Sequence, residues 1–96
     1  MADTVDRSSG NPIVAPITGL IVLPRSTGFD LSWDASLAVD LEDYLVTRND
    51  GQTFRTTSTG LHDNSQLIPM SFYWWTVSVH AGQKSSVLVT SAKFQF

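Results

Sequence analysis

Four consecutive aromatic residues begin the segment from Phe72 to Val79, which continues with β-branched and small residues. Side chains on a β-strand alternate between the two faces of its sheet. One face of this segment therefore carries Tyr73, Trp75, Val77 and Val79. The other face carries Phe72, Trp74, Thr76 and Ser78. The face that is buried decides whether these aromatic residues build the core or are presented to a partner.

The composition is that of one folded domain without covalent cross-links. The chain has 96 residues, 42% of them hydrophobic, with three Trp and five Phe, which is enough for a single core. It has no Cys, so the fold depends on packing and not on disulfides or thiolate metal sites. Nine acidic residues against six basic ones, with no Lys/Arg cluster, argue against nucleic acid or an anionic membrane as a partner.

The chain divides into a polar start and a region of alternating strand and turn signals. Residues 1–12 are polar and show neither strand nor helix periodicity, and we assign residues 1–15 to a flexible N-terminal arm. In residues 16–96, β-branched and aromatic runs alternate with turn signals about every 8 to 12 residues, as in an all-β sandwich or barrel. The predicted strands are 17–23, 29–33, 41–49, 53–57, 66–68, 72–80 and 86–96. Asn49-Asp50-Gly51-Gln52 is predicted to form a tight hairpin turn.

The anchor residues of these strands occur in a recognisable order. They are Pro16 with Leu20, then Leu31-Ser32-Trp33, then Leu41 with Tyr44 and Val46, and last Leu67, Pro69, Tyr73 and Val77. From Pro16 nearly to the C-terminus this order resembles a fibronectin type III domain. The chain departs from that pattern at Met70-Ser71, where Gly-Thr is usual, and at Trp75, where a smaller β-branched residue is common.

The resemblance implies a seven-stranded antiparallel β-sandwich, of the all-β class. It places Tyr73, Trp75, Val77 and Val79 in the core. In such a sandwich, Trp33 fills space between two sheets about 10 Å apart, and a Tyr at the start of a late strand bonds the backbone at a corner. Phe72 and Trp74 must then point away from the core.

Catalytic and metal-binding patterns are weak in this sequence. His62 and His80 are its only histidines, and none of the common nucleophile, phosphate-loop or metal-ligand motifs occurs. We predict no enzyme, no catalytic residue and no cofactor, with His62-Asp63-Asn64 in a solvated loop. The acids Asp40, Glu42 and Asp43 form the only local charge cluster. Calcium takes oxygen ligands of this kind, but the spacing of a dedicated loop is absent, so we predict a solvated loop and no metal.

The outward aromatic residues are the candidate functional site. Phe72 and Trp74, with Leu45 predicted beside Trp74 on the neighbouring strand, are the predicted partner-binding residues. Two alternatives stay open: long side chains from adjacent strands cover Trp74, or Trp74 forms a platform for a surface glycan. Phe94 and Phe96 alternate with polar residues, and we predict that this C-terminal tail docks on its own sheet.

The sequence therefore predicts a non-enzymatic structural or binding module that acts through protein-protein contacts. It resembles the small immunoglobulin-like or fibronectin-like proteins that decorate bacteriophage capsids or tails, which implies a place on the virion, other capsid or tail subunits as partners, and a homo-oligomer as one form of assembly. The alternative is an adhesion, carbohydrate-binding or spacer module of an extracellular multidomain protein. Fold alone does not decide between them.

Overall fold

The computed structural model describes residues 14–96, and this part of the chain consists of ten β-strands joined by turns and loops. Their bounds are Ile21–Arg25 (β1), Gly28–Ser32 (β2), Leu41–Arg48 (β3), Thr53–Thr56 (β4), Gly60–Asp63 (β5), Phe72–Tyr73 (β6), Trp75–Ala81 (β7), Lys84–Ser85 (β8), Val89–Thr90 (β9) and Phe94–Gln95 (β10). Within residues 14–96, no helix is long and apolar enough to cross a membrane.

The strands form two principal sheets, and every pairing is antiparallel. One sheet has the order β9, β7, β3 and β4, with β8 paired to β7 as its fifth strand. The other has the order β1, β2 and β5. The short strands β6 and β10 pair with each other at one end. The predicted antiparallel β-sandwich is thereby confirmed as the fold class.

The core lies between the two principal sheets and follows the predicted alternation. Its fully or nearly buried members are Val14, Ile17, Val22, Phe29, Leu31, Trp33, Tyr44, Val46, Tyr73, Trp75, Val77, Val79 and Ala81. The inward face predicted for the aromatic strand is therefore confirmed. Trp33 is 5% exposed and packs edge-on against Tyr44, with 5.3 Å between ring centroids.

Two predicted turn features are present at the same end of the sandwich. Gly51 adopts φ 98°, and Arg48 N donates to Gln52 O at 2.7 Å, which closes the predicted hairpin between β3 and β4. Tyr73 buries its ring while its hydroxyl accepts a hydrogen bond from Ile68 N at 2.8 Å. The bond between a buried Tyr and the corner backbone is thus confirmed.

Other strand predictions need correction. Residues 66–68 form no strand, because Gln66 adopts the left-handed φ of 51° and the chain is already turning toward Pro69. The strand lies earlier, at β5, so His62 and Asp63 are not in a loop. The first strand, predicted over residues 17–23, begins at Ile21 and continues through Pro24 to Arg25. Pro24 pairs with Phe29 on an edge strand, where a missing N–H is tolerated.

The predicted N-terminal arm falls mostly outside the described residues, which begin at Val14. Val14 is 7% exposed and belongs to the core cluster. The sandwich therefore includes at least this residue of the segment that the sequence assigned to the arm. The remainder of the arm stays a prediction.

Candidate functional site

Three large apolar side chains are exposed close together in the chain, two in the turn before β6 and one at the first residue of β6. Ile68 is 62% exposed, Met70 is 75% exposed and Phe72 is 56% exposed. We call these three residues the apolar corner. Single exposed apolar residues are common on proteins, but a cluster of them at one turn is typical of a contact surface.

The C-terminal strand holds the apolar corner in place. Met70 N donates to Phe96 O, and Phe96 N donates to Ser71 O, both at 3.0 Å. The side-chain amide of Gln95 donates to Met70 O at 3.0 Å, and Ser71 N donates to Ile68 O at 3.2 Å. The corner is therefore fixed by backbone hydrogen bonds on both of its sides.

Met70 has an unusual conformation for its residue type. Its φ is 73°, in the left-handed region that favours glycine, and it occupies the position at which the resembled family usually has Gly. A side chain in this region costs roughly 1 to 2 kcal/mol. Because three quarters of that side chain is exposed, little burial offsets this cost. The exposed Met70 side chain therefore lowers the stability of the isolated domain.

Trp74 is only half-buried and lies between β6 and β7. Asn49 holds its backbone, since Asn49 N donates to Trp74 O at 3.0 Å and Trp74 N donates to Asn49 Oδ1 at 3.1 Å. The Lys93 ammonium lies 4.9 Å from the centroid of the Trp74 ring, within the range of a cation–π contact. A long side chain from a neighbouring segment therefore covers part of Trp74, as one of the alternatives proposed.

Leu45 does not lie beside Trp74. On β3, Leu45 pairs with Arg55 of β4 and with Ser78 of β7, and Ser78 is four residues further along the chain than Trp74. Four residues of strand span about 13 Å. The predicted adjacency is wrong, because it needed the register between β3 and β7, which local sequence does not specify. Partner binding by Phe72, Trp74 and Leu45 stays a prediction.

The C-terminal aromatic residues lie against the core beneath the corner. The ring centroids of Phe94 and Phe96 are 6.0 Å and 5.9 Å from that of Phe29, and Phe94 is also 6.5 Å from Trp75. Both side chains are partly buried. The predicted docking of this tail on its own domain is confirmed.

A buried ion pair joins the two principal sheets at the end of the sandwich that carries the apolar corner. The side chains of Arg48 and Asp63 are fully buried, and Arg48 Nη1 lies 3.0 Å and 3.1 Å from the two Asp63 oxygens. Trp75 Nε1 donates to Asp63 at 2.8 Å and Ser65 N donates to it at 3.0 Å. The Arg48 guanidinium also bonds Asp50 and lowers the pKa of that carboxyl.

The sequence contains a signal for this ion pair that the predictions missed. Arg48 follows Tyr44 and Val46 on the inward face of β3, so a charge on the core face was to be expected. A buried charge requires a partner of opposite sign. The pair links β3 to β5. Arg48 also lies 4.8 Å from the centroid of the ring of Tyr73, which follows Phe72 of the corner in sequence.

A second apolar surface is present at the other end of the sandwich. A groove of about 510 Å³ is lined by residues 14–18 and 35–40, together with Ala81 and Lys84. Leu37 and Val39, in the loop before β3, are each 97% exposed. The sequence predicts a loop between the strands 29–33 and 41–49, but it did not mark the apolar residues Leu37, Ala38 and Val39 of this loop as a candidate site.

A further polar cluster surrounds His62 on β5. His62 Nδ1 lies 2.6 Å from Asp30 and its Nε2 lies 3.1 Å from the Thr27 hydroxyl, which resembles a nucleophile relay. This relay lies on the open outer face of the three-stranded sheet. Arg25 also bonds Asp30, and these hydrogen bonds, from Arg25 first and His62 second, lower the pKa of Asp30. The arrangement links the turn between β1 and β2 to β5.

The three acids near β3 do not converge on a shared ligand. Asp43 is paired with Arg55 at 3.2 Å, while Asp40 lines the groove. Among residues 14–96, no three His, Cys, Asp or Glu side chains come close enough to hold one metal ion.

Two solved structures share this arrangement of strands. One is an Fn3-like protein from Clostridium thermocellum, with a TM-score of 0.62 and 24% identity over 85% of this chain and 90% of that one. The fold is fibronectin type III-like. No protein-family model matches the chain, and no curated protein sequence matches it. The fibronectin type III-like assignment therefore rests on structure and on the spacing of the anchor residues.

The second structure contains this fold as part of a longer chain. The spore cortex lytic enzyme SleM from Clostridium perfringens matches with a TM-score of 0.73 and 18% identity over 93% of this chain. The matched region is 30% of the SleM chain. The chain thus matches a little under a third of that enzyme's length.

Proposed function

We propose that this fibronectin type III-like domain is a non-catalytic structural module that docks on other protein subunits through the apolar corner. The observation that carries the proposal is the conformation of Met70. A large apolar side chain is kept exposed at a left-handed position where glycine would be less strained. Such strain at a surface position points to a role in contact.

The chemistry of the corner favours a protein partner over a sugar. Residues 64–74 contain no charged side chain, and apolar and aromatic residues dominate the energetics of protein interfaces. A glycan platform needs an accessible ring face. The ring of Trp74 is half-buried, and the Lys93 ammonium lies over it. Trp74 therefore has little ring face accessible to a sugar, whereas the corner has a larger exposed apolar surface.

The setting that we propose first is the surface of a bacteriophage particle, with the module decorating capsid or tail subunits. Repeated copies on a regular surface give avidity, so a small contact at each copy is sufficient. The second setting is an accessory domain of an extracellular, cell-wall-acting protein. The similarity to part of the SleM chain favours this second setting.

The two settings predict different binding targets. Purified protein is incubated with purified phage particles of the source strain, and separately with purified cell walls, and each mixture is sedimented. We expect co-sedimentation with particles, its loss in Met70→Asp, and its retention in Val87→Asp, a control at a residue that is 65% exposed outside the corner. Binding to cell walls alone would favour the accessory role. If both variants bind equally well, the apolar corner is not the binding surface.

A further inference from the structure

The apolar corner and the groove lie at opposite ends of the sandwich. Strand β3 begins at Leu41, next to Asp40 in the groove, and ends at Arg48. Strand β7 runs back alongside it, so that Ala81, in the groove, pairs with Leu41. Asn49, directly after β3, bonds Phe72 O at the corner at 3.3 Å. The eight residues of β3 therefore separate the two surfaces by about 26 Å.

The two surfaces are complementary in chemistry and in size. The corner projects three apolar side chains, and the groove is lined largely by apolar residues with Leu37 and Val39 exposed at its loop. A cavity of about 150 Å³ holds one benzene-sized group. A groove of about 510 Å³ therefore has room for three side chains of that order. In a chain of net charge −3, the absence of charge from residues 64–74 removes repulsion at the contact.

The apolar area that the corner and the groove can bury determines how strongly two copies associate. The exposed fractions of the corner residues amount to about two fully exposed side chains, or on the order of 300 to 500 Å². With a similar area from the groove, the total stays below about 1,000 Å², less than stable complexes bury. Two copies would associate weakly and reversibly, and a concentrated or arrayed protein would favour the contact.

We infer that the apolar corner of one copy of this chain docks in the groove of the next copy, so that copies associate head to tail. The inference rests on the proposed role of the corner and names its partner as a second copy. A contact between two different surfaces leaves one corner and one groove free at the ends, so it produces open chains or a closed ring and not a two-fold dimer.

Two single substitutions test this arrangement by complementation. Met70→Asp places a charge on the corner and leaves the groove intact, whereas Leu37→Asp alters the groove and leaves the corner intact. In sedimentation equilibrium up to about 1 mM, a concentration suited to weak association, we expect the average mass of the wild type to rise past that of a dimer. Each variant alone should stay a monomer. An equimolar mixture should form a dimer and stop there, because its two remaining surfaces both carry Asp.

Several results would overturn the inference. A wild type that stays monomeric at the highest concentration contradicts it, and so does a mixture no heavier than the separate variants. If residues 1–13 of the same chain fill the groove, the wild type stays monomeric and Leu37→Asp lowers its own melting temperature. Val87→Asp is the matched control and should associate as the wild type does. Particle binding that needs the corner in a monomeric protein would retain the proposed function and reject self-docking.

Discussion

Replacing Asp63 with asparagine tests the ion pair that joins the two sheets. Asp63 accepts hydrogen bonds from Arg48, Trp75 and Ser65, and the side chains of both charged partners are fully buried. The amide side chain of the variant would keep one acceptor oxygen, remove the negative charge and turn an N–H₂ group toward other donors. Arg48 would then keep one charged partner, Asp50, whose side chain is 38% exposed, and its hydrogen bond to Ser65 O at 2.7 Å.

The expected loss is large for a domain of this size. Removing one partner of a buried ion pair costs about 3 to 5 kcal/mol, because the other charge loses its buried counter-charge, and here Arg48 keeps only the partly exposed Asp50 as a charged partner. A domain typically has about 5 to 15 kcal/mol in total. We expect Asp63→Asn to lower the free energy of unfolding by about 3 to 5 kcal/mol. Urea denaturation at pH 7, followed by tryptophan fluorescence, measures this change.

A matched control and a double mutant separate the ion pair from general damage. Asp43→Asn removes a partner of Arg55 in a pair that is partly exposed, and we expect a loss of at most about 1 kcal/mol. Adding Arg48→Met to Asp63→Asn removes the orphaned charge. The double variant should therefore lose less than the sum of the two single losses. A loss below about 1 kcal/mol for Asp63→Asn would refute the reasoning.

Three further predictions concern the corner and the outer face. Tyr73→Phe should lower stability by about 1 to 3 kcal/mol, because Ile68 N loses its acceptor, and chemical denaturation would show this; an unchanged midpoint would mean that water replaces the hydroxyl. Met70→Gly should change stability by less than about 1 kcal/mol, since relief of left-handed strain offsets the larger backbone entropy of glycine, yet it should abolish binding by the corner. A loss of several kcal/mol would show that Met70 serves the fold. For Asp30, the folded pKa lies below the ordinary value of 3.8, so its stabilising effect is complete above that pH and is lost as pH falls through the folded pKa. Asp30→Asn should flatten the decline of the melting temperature below about pH 4, and identical acid profiles would contradict this.

The sequence predicted those parts of the fold that depend on local alternation. In β2, Phe29 and Leu31 alternate with Asp30 and Ser32, and in β7 the inward residues recur at every second position. The hairpin at Gly51 was predictable because its turn needs a positive φ, which glycine tolerates and few other residues do. These features need only neighbouring residues to be specified.

The missed parts depend on contacts between distant residues. Strand β5 has one clearly apolar residue, Leu61, and ends in Asp63, whose burial makes sense only with Arg48 fifteen residues away. The position of Leu45 depended on register, and the exposure of Met70 depends on hydrogen bonds to the final residue, Phe96. The corner was therefore predicted only through Phe72. The groove was not predicted, because its two lining segments, residues 14–18 and 35–40, come together only in the fold.

The hydrogen bonds between Phe96 and the corner have a practical consequence for handling this protein. Any label, affinity tag or fused domain added after Phe96 begins within a few ångströms of Met70, because Phe96 O accepts from Met70 N at 3.0 Å. Such an addition would shield the corner and make a competent protein look inert in a binding assay. A tag placed before residue 1, followed by its removal, avoids this artefact and leaves both ends of the sandwich open to partners.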